Sequence, residues 1–320
     1  MRLLVTGGAG YIGSIVAAQL IAAGHDVTVL DDLSTGHADA VPPGARFVRG
    51  DVRSDAAPVL AGGIDAVLHF AAKSLVGESV AEPAMYWSHN LGGSLALLEA
   101  MRATGVETIV FSSTASTYGE PESIPVEETA APRPTNPYGA SKLAVDIALA
   151  EYARLHGLGA VSLRYFNVAG AFRDQAGDWL GERHTVETHL IPNILKIARD
   201  QSGPVSIFGD DYPTADGTCI RDYLHITDLA AAHLLALAGR RPAEHRIFNL
   251  GSGTGYSNLE VLTACREVTG LDIPAKVMGR RDGDPAVLIA SSERISRELG
   301  WRSERGLHEM VADAWACGYR

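Results

Sequence analysis

"LLVTGGAGYIG", residues 3–13, sets an apolar run of strand-forming residues directly against the glycines Gly7, Gly10 and Gly13, with a helix-compatible stretch after them. Glycines permit the tight turn from strand to helix and let backbone N–H groups approach an anion at the helix N-terminus, where the helix dipole favours negative charge. A Gly-x-x-Gly-x-x-Gly spacing between a first strand and a first helix is the pattern of a dinucleotide-binding turn. The next apolar run, "DVTVLDD" (26–32), ends on Asp31. A carboxylate there can accept hydrogen bonds from the adenosine ribose and would repel a 2′-phosphate. No lysine or arginine lies between Asp31 and Ala45, so NAD is expected rather than NADP. Asp51, closing the third run in "RGDVR", is expected at the adenine edge.

Working outward, short β-branched runs recur at 2–7, 26–32, 45–51, 65–72, 108–115 and 160–167, separated by helical patterns at 11–23, 90–104 and 138–156. This alternation predicts the α/β class, a doubly wound parallel Rossmann sheet with strand ends facing one ligand crevice. After Asn167 the rhythm breaks. Residues 171–220, rich in Gly, Asp and Pro, read as loop-dominated structure over a site. The organisation expected is an NAD-binding domain over 1–167 with 221–251 returning to it. A smaller α/β substrate-binding domain would take 168–220 and 252–320.

Bulk properties narrow the partners. The 320 residues, 46% hydrophobic and 20% charged, can bury a large core, and no apolar run is long enough to span a bilayer. A formal net charge of −11 opposes nonspecific binding to nucleic acid or anionic membrane, so an anionic ligand must be gripped by local cations. A cytoplasmic protein is expected. Cys219, Cys265 and Cys317 are far apart with no Cys/His cluster, so neither a disulfide frame nor a metal site is expected.

"NPYGASKL" (136–143) carries the chemistry. Tyr138 and Lys142 are one helical turn apart, so phenol and ammonium share a face. An ordinary tyrosine titrates near pH ~10 and is a poor base at neutrality unless positive charge stabilises its phenolate. Lys142, with the positive nicotinamide ring, would supply that charge. The phenolate could then take a substrate hydroxyl proton while the carbon-bound hydrogen leaves as hydride. "SSTASTYG" (112–119) ends the fifth run, where the Thr114 hydroxyl can position the substrate oxygen.

The glycine loop, "SSTASTYG", Tyr138-x-x-x-Lys142 and "RYFN" together resemble the extended short-chain dehydrogenase/reductase family. Four further stretches, "HFAAKSLVGESV" (69–80), "ETHLIPNIL" (187–195), "FGDDYPTADGTCIRDYLHITDLA" (208–230) and "RRDGDPAVLIAS" (280–291), are similar to the UDP-glucose 4-epimerases. That resemblance implies Thr114, Tyr138 and Lys142 as catalytic hydroxyl, base and lysine. It implies an NAD site lined by Gly7, Gly10, Tyr11, Ile12, Gly13, Asp31, Asp51, Val52, Phe70, Asn90, Ser112, Tyr138, Lys142, Tyr165 and Phe166. Thr114, Asn167, Leu190, Arg221, Arg281, Asp284 and Leu288 would meet a UDP-sugar, with the arginines forking the diphosphate oxygens. Leu288 falls where side-chain bulk decides whether an N-acetylated sugar fits.

The activity implied is reversible epimerisation at C4 of a UDP-hexose through a 4-keto sugar, with NAD tightly bound and regenerated each turnover, in a homodimer built on helices near 90–104 and 138–156. A 4-epimerase of a UDP-N-acetylhexosamine, UDP-pentose or UDP-uronic acid would use the same catalytic set. A nucleotide-sugar 4,6-dehydratase needs a further acid/base pair where this chain has Thr114-Ala115-Ser116, and a catalytically silent NAD-binding protein has no need of the intact set.

Overall fold

The computed structural model describes residues 1–184, 186–281 and 284–318. Strand β1 (Arg2–Thr6) is buried at four of its five positions and runs into α1 (Tyr11–Ala22) through the glycine turn. The close approach there is a backbone constraint. Gly7 adopts φ +71°, and a Cβ on it would lie 2.5 Å from the Ala71 amide nitrogen; a Cβ on Gly13 would lie 2.3 Å from the Gly7 carbonyl oxygen.

The chain continues through β2 (Asp26–Asp31), β3 (Arg46–Arg49), α2 (Val52–Leu60), β4 (Ala66–His69), and the short helices α3 (Val76–Ala81) and α4 (Pro83–Tyr86). A π-helical turn over Trp87–Gly92 precedes α5 (Gly93–Thr104), so only the second part of the helix expected at 90–104 is regular. Then come β5 (Thr108–Thr114), α6 (Pro137–His156) and β6 (Gly159–Tyr165). Helix α6 starts where it does because Asn136 Oδ1 accepts the Gly139 N–H at 2.9 Å and Pro137 takes the first turn. It stops at Gly157, in the left-handed conformation at φ 76°.

Beyond β6 lie β7 (Asn167–Ala169), β8 (Ala171–Arg173), β9 (Trp179–Gly181), α7 (Leu190–Asp200), β10 (Val205–Phe208), β11 (Ile220–His225), α8 (Ile226–Ala238) and β12 (His245–Leu250). The last elements are β13 (Gly255–Ser257), α9 (Asn258–Thr269), β14 (Ala275–Met278), β15 (Val287–Leu288), α10 (Glu293–Leu299) and α11 (Leu307–Cys317). The segment 171–220, read from sequence as loops, contains α7. Its apolar residues Ile191, Ile194, Leu195 and Ala198 recur at helical spacing and are buried, a periodicity outweighed in the reading by the surrounding Gly, Asp and Pro.

Seven strands form one sheet in the order β12-β6-β5-β4-β1-β2-β3, and the neighbouring pairs from β6 to β3 run parallel. This is the doubly wound arrangement, with strand order reversing between β1 and β4. The chain divides into two compact units. The first is 1–119, 131–165 and 230–248. Its core includes Leu4, Leu30, Val67, Leu97, Ile109, Phe111, Val145 and Leu149. The second is 120–130, 166–229 and 249–320. It packs α7, α9 and α11 through Ile194, Leu195, Leu262, Cys265, Met310 and Val311.

The boundaries differ from the sequence reading at 120–130, 166–167, 221–229 and 249–251, which fall in the second unit. Strand β11 pairs with β7, β13 and β15 rather than joining the large sheet. Asp222 on that strand accepts hydrogen bonds from the Ser252, Gly253 and Ala290 amides and from Ser252 Oγ, at 2.7 to 3.0 Å, so it ties 249–253 and 290 to β11.

Replacing Gly13 with alanine forces the loop apart at the Gly7 carbonyl and is expected to cost about 2–4 kcal/mol in urea unfolding. An unchanged midpoint with unchanged slope would contradict this account of the turn.

Candidate active site

The first turn of α1 has no side-chain cap from Gly10 and no acidic residue. Backbone N–H groups therefore define the charge presented at that helix end, as an anion such as a pyrophosphate requires. Asp31 Oδ2 accepts the Ala9 N–H at 2.9 Å and Oδ1 accepts the Leu33 N–H at 2.8 Å. The carboxylate thus fixes the loop to the end of β2 while each oxygen keeps a second lone pair for a ribose hydroxyl. The glycines, the bare helix end and Asp31 fit a dinucleotide. Asp51 is committed locally: it caps α2 through the Arg53 N–H at 2.8 Å and pairs with the Arg53 guanidinium. Val52 follows it as the first residue of α2.

Asn90 sits in the π-helical turn and uses its whole amide. Its Oδ1 accepts the Lys73 N–H at 2.8 Å, and its Nδ2 donates to the Lys73 carbonyl at 3.0 Å and to Ser141 Oγ at 3.0 Å. It therefore joins the segment after β4 to α6, holding Lys73 by its backbone. Phe70 packs its ring 4.9 Å from His233, which in turn lies 2.6 Å from the Tyr165 hydroxyl. His69 is clamped between Thr6 Oγ1 at 2.6 Å and Ser94 Oγ at 2.9 Å; burial lowers its pKa to about 3, so it stays neutral.

At the end of β5 and the start of α6 the reacting groups converge. The Thr114 hydroxyl is placed to favour the ionised form of the Tyr138 phenol. Thr114 Oγ1 also accepts the Ser116 N–H at 3.2 Å, so the local capping role open to this residue is filled as well. One turn along, Lys142 Nζ donates to the Ser112 carbonyl at 2.8 Å and lies 4.8 Å from the Phe111 ring centroid. Tyr86 meets the Tyr138 ring edge-on, centroids 6.4 Å apart.

In the chain alone, burial dominates the electrostatics at this site. Burial raises the Tyr138 phenol above its ordinary range, opposed by the Thr114 hydroxyl, and burial lowers Lys142 to about 7, opposed by Asp146. The chain by itself therefore holds the phenol protonated, and further positive charge is needed to release it. Beneath Lys142, Asp146 Oδ2 accepts from Arg164 Nη2 at 2.9 Å and Nε at 3.1 Å and from Ser113 Oγ at 3.2 Å. Asp146 lies at i+4 from Lys142, a spacing visible in the sequence; its pairing with Arg164, from a different strand, was not.

The substrate-side candidates lie in the second unit. Arg221 Nη2 meets Asp284 Oδ1 at 2.7 Å, and Arg221 pairs in register with Leu288 of β15. These three are therefore neighbours. The Arg281 guanidinium lies 4.0 Å from the Phe208 ring centroid. Asn167 is opposite Tyr223 on β11, and Phe166, just before it, is buried and bonded through its N–H to the Leu250 carbonyl. Leu190, half-buried, opens α7.

A doubly wound sheet with a glycine-rich first turn, an acid closing the second strand and a Tyr-x-x-x-Lys pair on the helix after a hydroxyl-bearing strand defines a dinucleotide-dependent enzyme fold. Residues 3–251 match the NAD dependent epimerase/dehydratase family. The chain belongs to that family. It is 56% identical over 318 residues to the UDP-glucose 4-epimerase of Corynebacterium glutamicum, covering 99% of this chain and 95% of that protein. The crystal structure of UDP-glucose 4-epimerase from Brucella ovis in complex with NAD superposes with a TM-score of 0.93 at 42% identity, over 98% of this chain and 97% of that one. The enzyme from Bifidobacterium longum in complex with NAD+ and UDP gives 0.92 at 36% identity, over 99% and 98%.

The depressed Lys142 makes a pH prediction. Its folded pKa lies below its unfolded value of 10.5, so the charged form destabilises the fold fully below about pH 7, and the cost fades as pH rises toward 10.5. Comparing wild type with Lys142→Met by urea unfolding without cofactor, wild type should gain on the variant by roughly 1 kcal/mol per pH unit above neutrality. A difference independent of pH would show that the ammonium is not desolvated.

Proposed function

We propose that this chain interconverts UDP-galactose and UDP-glucose by inverting C4 of the hexose, an NAD-dependent isomerase reaction that passes through a 4-keto sugar. The observation that carries the reading is the placing of Thr114 at the end of β5 and of Tyr138 one helical turn from buried Lys142 on α6, in a chain 56% identical to a UDP-glucose 4-epimerase along nearly its whole length.

Tyr138 takes the proton of the C4 hydroxyl, and the Thr114 hydroxyl holds the sugar oxygen in line. NAD held at the glycine turn would supply the acceptor and later the donor of the C4 hydride, and would be regenerated within each cycle. The phenol's raised pKa in the chain alone means that the base forms once the cofactor's positive ring adds its charge to that of Lys142. Gly7, Gly10, Tyr11, Ile12 and Gly13 would carry the pyrophosphate, Asp31 the adenosine ribose, and Asp51 and Val52 the adenine edge. Phe70, Asn90, Ser112, Tyr165 and Phe166 would line the remainder.

Arg221 and Arg281 would take the diphosphate with Asp284 orienting Arg221, while Asn167, Leu190 and Leu288 border the uridine and sugar. The catalytic requirement is a firm hold on the nucleotide and a loose one on the sugar, which must turn over between the two hydride steps. The UDP bound in the Bifidobacterium longum relative supports the nucleotide half. Leucine at 288 is of intermediate bulk, so UDP-N-acetylhexosamine is the second substrate to assay.

Purified protein incubated with UDP-galactose is expected to form UDP-glucose without added NAD. Tyr138→Phe should lose roughly 10³-fold or more in kcat while retaining UDP affinity. No conversion of UDP-galactose with NAD present would overturn the assignment.

A homodimer is part of the same proposal. Leu95 on α5 and Ile147 and Leu155 on α6 are large apolar side chains with 37%, 59% and 58% exposure, a surface suited to a helix-bundle interface. Light scattering should give a dimer, and the double change Ile147→Arg and Leu155→Arg a monomer; a wild-type monomer at micromolar concentration would refute it. Among the described residues no helix is long and apolar enough to cross a membrane. We assign the protein to the cytoplasm, in galactose metabolism, where NAD and UDP-sugars are available.

A further inference from the structure

The stretch "ERHTVETH", residues 182–189, lies between β9 and α7 and has no part in the reaction proposed above. Its pattern Glu-x-His-x-x-Glu-x-His brings one donor atom from each of Glu182, His184, Glu187 and His189 within 4.8 Å of one another. His184 Nδ1 is 3.1 Å from Glu182 Oε1 and 3.6 Å from Glu187 Oε2. His189 Nδ1 is 2.5 Å from Glu182 Oε1 and 3.4 Å from Glu187 Oε1.

A zinc ion with bonds of about 2.0–2.2 Å holds tetrahedral ligand atoms about 3.3–3.6 Å apart. Three of the four separations are at or near that spacing. The fourth is a hydrogen bond, and metal binding would replace its proton.

Burial supplies the second observation. The Glu182 and Glu187 side chains are only 6% and 5% exposed, so two carboxylates are withdrawn from water side by side. Glu187 Oε2 and His184 Nδ1 face each other across the cluster, inaccessible to solvent and without a hydrogen-bond partner. Buried polar atoms are normally satisfied, and two convergent lone-pair donors left unsatisfied mark the place of a missing electrophile. The surroundings orient the ligands: Glu187 Oε1 accepts the Thr188 and His189 N–H groups, each at 2.7 Å, and Asn193 Nδ2 donates to the Glu187 carbonyl at 3.3 Å.

We propose that Glu182, His184, Glu187 and His189 bind a divalent transition-metal ion of the zinc class. Two imidazoles and two carboxylates suit zinc better than calcium or magnesium, which take all-oxygen shells. Four protein ligands close the coordination sphere, so the role is structural. The ion would pin the 182–189 segment to the start of α7, since His189 immediately precedes Leu190. The expectation of no metal site rested on the absence of cysteine clusters, and a His/Glu set escapes that criterion.

The test uses full-length protein purified without a polyhistidine tag, incubated with zinc and passed into metal-free buffer. Mass spectrometry of the metal should find about one zinc per chain. His184→Ala and Glu187→Gln should each retain roughly tenfold less or below. Cobalt(II) in place of zinc should give the strong visible bands of a tetrahedral site in wild type alone, and a chelator should lower the wild-type Tm by a few degrees without affecting the variants. If the variants do not fold, the wild-type zinc content and cobalt spectrum decide by themselves. Wild type that retains neither metal, or folded variants that retain zinc at the wild-type level, would overturn the proposal.

Discussion

The Asp146 carboxylate is the point on which the reacting end of the first unit depends. It is 3% exposed, bonds Arg164 of β6 and Ser113 of β5, and lies one turn below Lys142 on α6. One buried anion thus ties together the two strands and the helix that carry Thr114, Tyr138 and Lys142. Removing one partner of such a buried pair typically costs about 3–5 kcal/mol, because the other charge is left without compensation. The pair also makes a second cation tolerable nearby: Lys142, 3% exposed, keeps its ammonium accessible near neutrality because Asp146 opposes the desolvation that lowers it.

That arrangement changes how the Tyr-x-x-x-Lys motif works. Spacing alone describes a lysine that lowers the pKa of its tyrosine. The folded chain instead buries both, pushing the phenol up and the ammonium down, each toward its neutral form. In the proposed reaction a bound positive ring would add the charge that favours the phenolate. His69 is held neutral in the same unit, so it adds no second positive charge to that of Lys142.

In the second unit the corresponding constraint is Asp222, whose carboxylate collects backbone amides from two separated segments onto β11. Arg221, its neighbour, is thereby set beside Asp284 and Leu288. The guanidinium is oriented before any ligand arrives, and pre-orientation of this kind reduces the ordering cost of gripping a diphosphate.

The sequence by itself determined the doubly wound class, the positions of its first six strands, the glycine turn, Asp31 and the Tyr138 and Lys142 pair, because each is encoded in residues a few positions apart whose periodicity or spacing is local. Tertiary structure decided what depends on distant partners. It moved 221–229 to the second unit through the pairing of β11, made Asn90 a full amide clamp within a π-helical turn, and committed Asp51 to Arg53. It set Arg164 against Asp146 and buried Lys142 above that pair, lowering its pKa. Burial and long-range pairing fix the dielectric and the charges around a side chain, and neither is written in the spacing of the residues that bear the motif.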